Sequence, residues 1–197
     1  TVLIGSQCWI AKNLNVGTRI DGVTSSANNG TIEKYCVSNL ESNCDVYGGL
    51  YQWNEMMQYT TNEGSQGICF PGWHLPTDGE LKTLEGTIDS QYGVGDPIWD
   101  LTGDRGLDAG GKMKEMGTTH WVFPNTGATN SSGFTALPGG ARNTDGTWPG
   151  FQIYGRYWTS TESGTNAYRR ILSASRADIS RDAANKSFGL SVRCIKN

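Results

Sequence analysis

The stretch Cys69-Phe-Pro-Gly-Trp-His-Leu-Pro-Thr-Asp-Gly-Glu80 leads into the helix that the sequence defines best. Thr77 and Glu80 form a capping box, in which the threonine hydroxyl and the glutamate carboxylate satisfy exposed amide groups of the first helical turn. An apolar face then follows at helical spacing, formed by Leu81, Leu84 and Ile88. The stretch therefore predicts a turn followed by an amphipathic helix that packs against a core.

Weaker patterns flank this helix on its N-terminal side. Residues 2–4 and 8–11 predict a hairpin around Gly5-Ser6. Residues 17–46 are rich in Gly, Ser and Asn and predict a long loop. Residues 50–57 have helical apolar spacing and predict a first short helix.

On the C-terminal side, residues 92–111 return to Gly and Asp. Short strand candidates follow at residues 120–123, 134–137 and 157–160 and in the C-terminal tail. Two interpretations of residues 167–184 stay open. Tyr168, Leu172, Ile179 and Ala183 lie near helical spacing, whereas the β-branched residues that return in Ser191–Ile195 favour strands.

Composition limits the class of protein. The chain has 197 residues, 27 of them Gly, with 10% aromatic and 18% charged residues, which is typical of one loop-rich globular domain. No run of 18 apolar residues is present, so the sequence predicts no membrane span. Five aromatic side chains are expected in the core rather than on a carbohydrate-stacking surface: Trp9, Trp53, Trp73, Trp121 and Trp158.

The cysteines stand at positions 8, 36, 44, 69 and 194, and no Cys-x-x-Cys occurs. With only two histidines in the chain, a structural zinc site is not expected. Cys36 and Cys44 are eight residues apart across a polar segment, which suits a local disulfide. The alternative is that all five cysteines are reduced and buried.

The charge of residues 168–194 opposes that of the whole chain. This segment holds five of the nine Arg with one Lys and two Asp, a balance of +4, while the chain carries −3. Arg suits planar, bidentate recognition, so the segment is a candidate binding surface. A solvated basic strand pair is the other interpretation.

Motifs spread over the chain carry a resemblance. They are Gln7-Cys-Trp-Ile-Ala-Lys-Asn-Leu-Asn15, Tyr47-Gly-Gly-Leu-Tyr-Gln-Trp53, Cys69–Thr77, Ala109-Gly-Gly-Lys-Met-Lys-Glu115, Asn130-Ser-Ser-Gly-Phe-Thr-Ala-Leu-Pro-Gly-Gly140, Tyr157-Trp-Thr-Ser-Thr-Glu162 and Ser191-Val-Arg-Cys194. Through these motifs, the sequence resembles the Fibrobacter succinogenes major paralogous domain family from about residue 3 to residue 195. That family is similar to the formylglycine-generating-enzyme branch of the C-type lectin fold. The resemblance implies a single α+β domain over residues 1–197, with two helices, small antiparallel sheets, long irregular loops and adjacent N- and C-terminal strands.

The same branch includes variable proteins of diversity-generating retroelements, in which adenine-directed mutagenesis randomises a C-terminal cassette. The corresponding cassette here is residues 157–194. The chain keeps the frame positions Ala167, Arg170, Leu172, Ile179, Arg181, Lys186 and Gly189. Relatives carry runs of Asn and Tyr in this cassette. The chain has other residues at twelve of these positions, which we call the departing positions: Arg169, Ile171, Ser173, Ala174, Ser175, Arg176, Asp178, Ser180, Asp182, Ala183, Ala184 and Phe188. Changes from Asn to Ser, Asp, Ala, Ile, Arg or Phe need only adenine substitutions in an Asn codon, although ordinary drift in a paralogous surface protein is the alternative.

Catalysis is not expected. The formylglycine-generating relatives hold copper with a pair of C-terminal cysteines, and this region has Cys194 alone. Neither His74 nor His120 has a nucleophile and a carboxylate in a catalytic order. Asp96, Asp100, Asp104 and Asp108 lack the dense spacing of a calcium loop and are expected to be solvated. We therefore expect no cofactor and no metal, and the net charge of −3 disfavours nucleic acid.

The sequence thus predicts a ligand-binding protein whose departing positions form the recognition surface. Its partner would be a selected ligand, a protein or other cell-surface molecule, and a surface or secreted location is favoured. The alternatives are a cell-surface or adhesin domain without diversification, or an oxidase of the formylglycine-generating type. We expect Leu172, Ile179, Leu190 and Val192 to point into the core. Nine departing positions should be largely exposed on one contiguous face: Arg169, Ile171, Ser173, Ser175, Arg176, Asp178, Ser180, Asp182 and Phe188.

Overall fold

The capping box forms as the sequence predicts. In the computed structural model, which describes residues 1–197, Thr77 Oγ1 accepts a hydrogen bond from the Glu80 amide at 3.1 Å. The Glu80 carboxylate accepts one from the Thr77 amide at 2.8 Å. Helix α3 follows, and it buries Leu81 and Leu84. The predicted capping box and the predicted apolar face of this helix are therefore confirmed.

The elements make a mixed α+β fold. The strands are β1 (Val2–Ile4), β2 (Gln7–Trp9), β3 (Thr18–Arg19), β4 (Glu33–Lys34), β5 (Trp73–His74), β6 (Gly103–Arg105), β7 (Tyr154–Ser163), β8 (Asn166–Ser173), β9 (Ile179–Asn185) and β10 (Ile195–Lys196). The α-helices are α1 (Glu41–Tyr47), α2 (Trp53–Met56), α3 (Asp78–Ile88) and α4 (Ala109–Met113), and 3-10 turns occupy Val37–Asn39 and Pro97–Asp100.

Two four-stranded sheets organise these elements. One has the order β1-β2-β10-β5, with Ile195 opposite Trp9, so the predicted adjacency of the terminal strands is confirmed. The other has the order β6-β9-β8-β7 and is antiparallel throughout. The helical interpretation of residues 167–184 is wrong, because β8 and β9 form a hairpin there.

Four helices form where two were expected. Helix α1 lies inside the predicted loop 17–46; it has no side-chain cap, but it buries Cys44 and Tyr47 and is tied to Cys36 by a disulfide. Helix α4 contains two glycines, which disfavour helix locally. Tertiary contacts stabilise both helices, and local propensity does not report such contacts. The strand candidates 120–123 and 134–137 are also wrong, since only Ala136 makes an isolated bridge there.

Aromatic side chains fill the core largely as expected. Trp9, Trp53, Trp121 and Trp158 are buried, whereas Trp73 is half-buried and packs against the edge of the core. Trp99, which the sequence did not single out, is also buried.

Two disulfides link the chain. Cys36–Cys44 forms as predicted, so the interpretation with five reduced cysteines is wrong, and Cys8 is free. Cys69–Cys194 joins positions 125 residues apart, both of them buried. In the chain-entropy model, a bridge over so long a loop stabilises the fold by about 4–5 kcal/mol.

A buried ion network joins α3 to the second sheet. Asp78 Oδ1 lies 2.8 Å from Nη1 of Arg170 and 2.8 Å from Nε of Arg181. Glu85 pairs with Arg170 and, at 2.6 Å, with Arg105. All five side chains are buried. Burial by itself raises the pKa of Asp78, but the hydrogen bonds and charges of Arg181 and Arg170 hold that pKa well below its usual value.

Replacing Asp78 with Asn should therefore destabilise the protein by roughly 3–5 kcal/mol, because the buried Arg181 loses its carboxylate and the buried Arg170 keeps only Glu85. The depressed pKa adds a pH signature. The contribution of Asp78 is complete above the ordinary Asp pKa of about 4 and is lost as pH falls below it. Urea unfolding followed by Trp fluorescence from pH 2 to 7 measures both effects. Asp45→Asn, at an exposed position, is the matched control, and equal effects of the two substitutions would contradict the network's role.

Candidate ligand-binding cleft

The β8–β9 hairpin presents two chemically different faces. Side chains alternate along a strand, so each position shares a face with its cross-strand partner. Arg170 and Leu172 lie with Arg181 and Ile179 on the inner face, where all four are buried. The outer face carries the alternate positions: Arg169, Ile171 and Ser173 on β8, and Ser180 and Asp182 on β9. Frame and departing positions therefore alternate with the period of a strand over residues 169–173 and 179–182.

A cleft of about 440 Å³ opens on the outer face. Its lining comes from β6, β7, β8, β9 and the turn between the last two, namely Asp104, Tyr154, Arg156, Ile171, Ser173, Ser175, Arg176, Asp178 and Ser180. Six of the twelve departing positions are among these nine residues. The hairpin thus brings together side chains that are up to nine positions apart in the sequence, on a concave surface.

The other departing positions lie elsewhere. Arg169 and Asp182 face each other on the outer surface beside the cleft. Ala174 and Ala184 are buried, Ala183 is half-buried on the inner face, and Phe188 is half-buried against the core. Of the nine positions expected to be exposed, only Ser175 and Arg176 are exposed. Ser173 is buried, and the other six are half-buried. Because a cleft shields its own walls, the expectation of an open surface was wrong. The expected burial of Leu172, Ile179, Leu190 and Val192 is confirmed.

The arginines at departing positions are already paired within the chain. Arg169 forms a two-point contact with Asp182, at 2.6 and 3.0 Å. Arg176 contacts both oxygens of Asp178, at 2.9 and 2.6 Å, and also pairs with Asp104. These cations are therefore neutralised before any ligand arrives.

Sequence reasoning missed three residues of the cleft, Asp104, Tyr154 and Arg156, which lie outside the cassette. The strand period could have found two of them. Tyr154 stands opposite Ser173 and Arg156 opposite Ile171, so they occupy the outer face of β7 for the same geometric reason. Asp104 stands opposite Ser180, but β6 is too short to be recognised from the sequence.

The turn between β8 and β9 is held through its backbone. Lys114 Nζ donates to the carbonyls of Ser173 at 2.7 Å, Arg176 at 2.8 Å and Thr126 at 2.9 Å. The Gly111 amide donates to the Ala177 carbonyl at 2.7 Å. None of these bonds depends on which side chains the turn carries.

Glycines in α4 make this close approach feasible. A Cβ at Gly110 would lie 2.0 Å from the carbonyl oxygen of Asp178, and one at Gly111 would lie 2.3 Å from that of Gly127. Any other residue at Gly110 would push the helix away from the turn, and any other residue at Gly111 would push it away from the backbone of Gly127. The Ala109–Glu115 motif thus supports the floor of the cleft.

Comparison with known proteins identifies the family of this chain. The profile described as Fibrobacter succinogenes major domain matches residues 2–196. The chain belongs to that family. A search of curated proteins found no match, and neither did a search of solved structures.

Other candidate groups of this family member have ordinary partners. His74 contacts Glu80 and Asn197, and His120 contacts Glu115. Asp96 caps a 3-10 turn, Asp100 binds Lys82, and Asp108 binds Ser90. No three His, Cys, Asp or Glu side chains are grouped as metal ligands, and none of the helices has the length and apolarity to cross a membrane.

The buried Lys114 predicts a pH-dependent stability. Burial lowers the pKa of Lys114 from 10.5 to about 8. Between those values the unfolded chain binds more protons than the folded one, so the Lys114 contribution increases as pH rises from 8 to 10.5. Lys114→Met removes this slope and, by leaving the carbonyls unpaired, should destabilise by about 1–3 kcal/mol.

Urea unfolding from pH 7 to 10 provides the measurement, with exposed Lys12→Met as control. The stability difference between wild type and Lys114→Met should increase with pH, whereas the difference for Lys12→Met should stay flat. A pH-independent difference for Lys114→Met would contradict the lowered pKa.

Proposed function

We propose that this protein is a non-enzymatic ligand-binding domain whose C-terminal cassette, residues 157–194, is diversified by a retroelement. The single observation that carries the proposal is the division of the hairpin. Six departing positions line the cleft on the outer face, and the frame residues Arg170 and Arg181 make the buried ion network on the inner face. Drift in a surface protein would not be expected to gather half of the departing positions in one cleft.

Tolerance to substitution supports the same proposal. A diversified site needs a backbone whose position does not depend on the variable side chains. Here Lys114 and Gly111 hold the turn by hydrogen bonds to its carbonyl groups. Arg170 and Arg181 hold β8 and β9 from the inner face through their ion pairs with Asp78. Substitutions on the opposite face should then destabilise the fold less than inner-face substitutions do, because these backbone contacts and the ion network remain.

The finer assignment of the fold belongs to this proposal. We place the domain in the C-type lectin fold, in the branch that includes formylglycine-generating enzymes and retroelement variable proteins. The adjacent terminal strands and the small antiparallel sheets support this assignment. The cassette begins near Tyr157-Trp-Thr-Ser-Thr-Glu162, which becomes part of β7.

A protein or other cell-surface molecule is the proposed ligand. Ile153, which is 41% accessible, directly precedes Tyr154 of the cleft, and its carbonyl accepts a hydrogen bond from the Ala174 amide. An exposed apolar group beside a polar depression is typical of protein recognition sites. Two disulfides favour folding in an oxidising compartment, which agrees with a surface or secreted location.

The proposal is tested by separating binding from folding. The outer-face and turn residues Arg169, Ile171, Ser175, Arg176, Asp178, Ser180 and Asp182 are all replaced with Asn. Arg169 changes together with Asp182, and Arg176 together with Asp178, while Asp104 loses its exposed pair with Arg176. Partly exposed pairs contribute only about 0–1 kcal/mol, so the melting temperature should change little. Leu172→Ala is the inner-face comparison and should destabilise by roughly 2–5 kcal/mol.

Binding is measured on a displayed library in which the same seven codons are varied at adenines and selected on immobilised lysozyme. Binders should appear and lose binding when their cassette reverts to the wild-type sequence. An unfolded multi-Asn variant, or a library without folded binders, would refute the proposal. In the genome, a reverse transcriptase gene and a near-identical template repeat beside this gene would distinguish diversification from a constant adhesin domain.

A further inference from the structure

Arg156 differs from every other cation of the cleft in its partners. Arg176 contacts Asp178 and Asp104, and the neighbouring Arg169 contacts Asp182. Arg156 has no carboxylate partner; its one hydrogen bond runs from Nη1 to the Pro149 carbonyl at 2.7 Å. Its Nε is buried and has no hydrogen-bond partner. Its Nη2 also makes no hydrogen bond, but this atom is accessible to solvent. Hydrogen-bond donors on the Nη side of the Arg156 guanidinium therefore remain available to a ligand.

The guanidinium is held in place before any ligand binds. It stacks on the ring of Tyr154, with 4.6 Å between its central carbon and the ring centroid. Gly150 leaves just enough room beside it, because a Cβ there would lie 3.1 and 3.3 Å from Nη1 and Nη2 and 2.5 Å from the Tyr154 ring. A cation that is already oriented loses little conformational entropy on binding.

The surroundings of Arg156 suit a small anionic group. Ile171 lies directly opposite it across β7 and β8 and forms an apolar wall. The hydroxyls of Ser173 and Ser175, which are 3.0 Å apart, also line the cleft and can donate to an acceptor. Burial, followed by the charge of Arg169, lowers the pKa of Arg156, so an incoming negative charge would relieve a desolvated cation.

We propose that Arg156, stacked on Tyr154, binds the side-chain carboxylate of an Asp or Glu residue on the protein partner. This inference rests on the proposed function and names the chemistry of one subsite. A planar carboxylate matches the Nη edge of a guanidinium in two parallel hydrogen bonds. A phosphate would bring a second negative charge next to Asp104 and Asp178, so a monoanion is favoured.

The position of Arg156 gives this subsite a particular role. Arg156 and Tyr154 lie outside residues 157–194, so diversification of the cassette would leave them unchanged. Six departing positions surround them in the same cleft. An acidic residue would therefore be a shared anchor for different ligands, and the variable side chains would select among the sequences around it.

The test uses the full chain and a single amino acid, N-acetyl-glutamate α-amide, at low ionic strength, where charge pairing is least screened. Nuclear magnetic resonance of labelled arginine side chains follows the titration, and the Arg156 signal is assigned by its absence from Arg156→Lys. We expect a saturable shift of the Arg156 signal, with a dissociation constant of about 1–10 mM. The neutral probe N-acetyl-glutamine α-amide and inorganic phosphate should bind more weakly.

Two variants complete the test. In both variants binding is followed through the backbone amide signals of Ser173 and Ser175, which also line the cleft. Arg156→Gln should weaken binding of the glutamate probe by about 10- to 100-fold, the range expected for loss of a charged hydrogen bond. Arg19→Gln, which removes an exposed Arg on β3 and the same charge, should leave binding unchanged within about twofold. If Arg156→Gln fails to fold, the Arg156 signal of the wild-type protein decides the question alone.

Four outcomes would overturn the inference: no shift of the Arg156 signal, equal binding of the glutamine probe, tighter binding of phosphate, or equal losses in the two variants. The probe involves no selected partner, so failure here leaves the diversified-binder proposal intact. Conversely, the probe can bind at Arg156 while cassette variation fails to yield binders, in which case the proposed function fails and the anionic subsite stands.

Discussion

The contact between α3 and the β8–β9 hairpin is made by charges that have no water to solvate them. Asp78 and Glu85 enter from the helix, and Arg170, Arg181 and Arg105 enter from the sheet. Losing either side leaves an uncompensated buried charge, which costs far more than an exposed ion pair contributes. A one-residue slip of the hairpin would turn Arg170 and Arg181 outward. The network therefore specifies the register, and the outer face of the sheet follows from it.

Support for the binding surface is independent of the side chains on that surface. Lys114 and the glycines of α4 contact the turn at carbonyl oxygens, which every amino acid has. The strands are fixed from the opposite face by the ion network. Under the proposed function, stability would be carried by frame positions and recognition by departing positions. A binding site in which the same side chains both pack and recognise would not tolerate diversification of those side chains.

The basic C-terminal segment shows the limits of charge counting. Of its five arginines, Arg170, Arg181 and Arg193 are buried, with Arg193 donating to carbonyls and to Asn13. Arg169 and Arg176 are paired with aspartates on the same surface. The cation of the cleft that has no carboxylate partner, Arg156, lies outside the segment. Composition reports how many charges a segment carries, but only the folded chain decides which of them are neutralised.

By itself, the sequence determined what depends on neighbours along the chain. The capping box at Thr77, the hairpin of residues 2–4 and 7–9, the local Cys36–Cys44 bridge and most of the Trp core follow from short-range patterns and were predictable. Only the tertiary structure decided that residues 167–184 form strands, that α4 forms, and which residues line the cleft. In each case the deciding contacts lie far apart in sequence, between Asp78 and Arg181, or Gly110 and Asp178. Local propensity is blind to such contacts, and here they outweigh it.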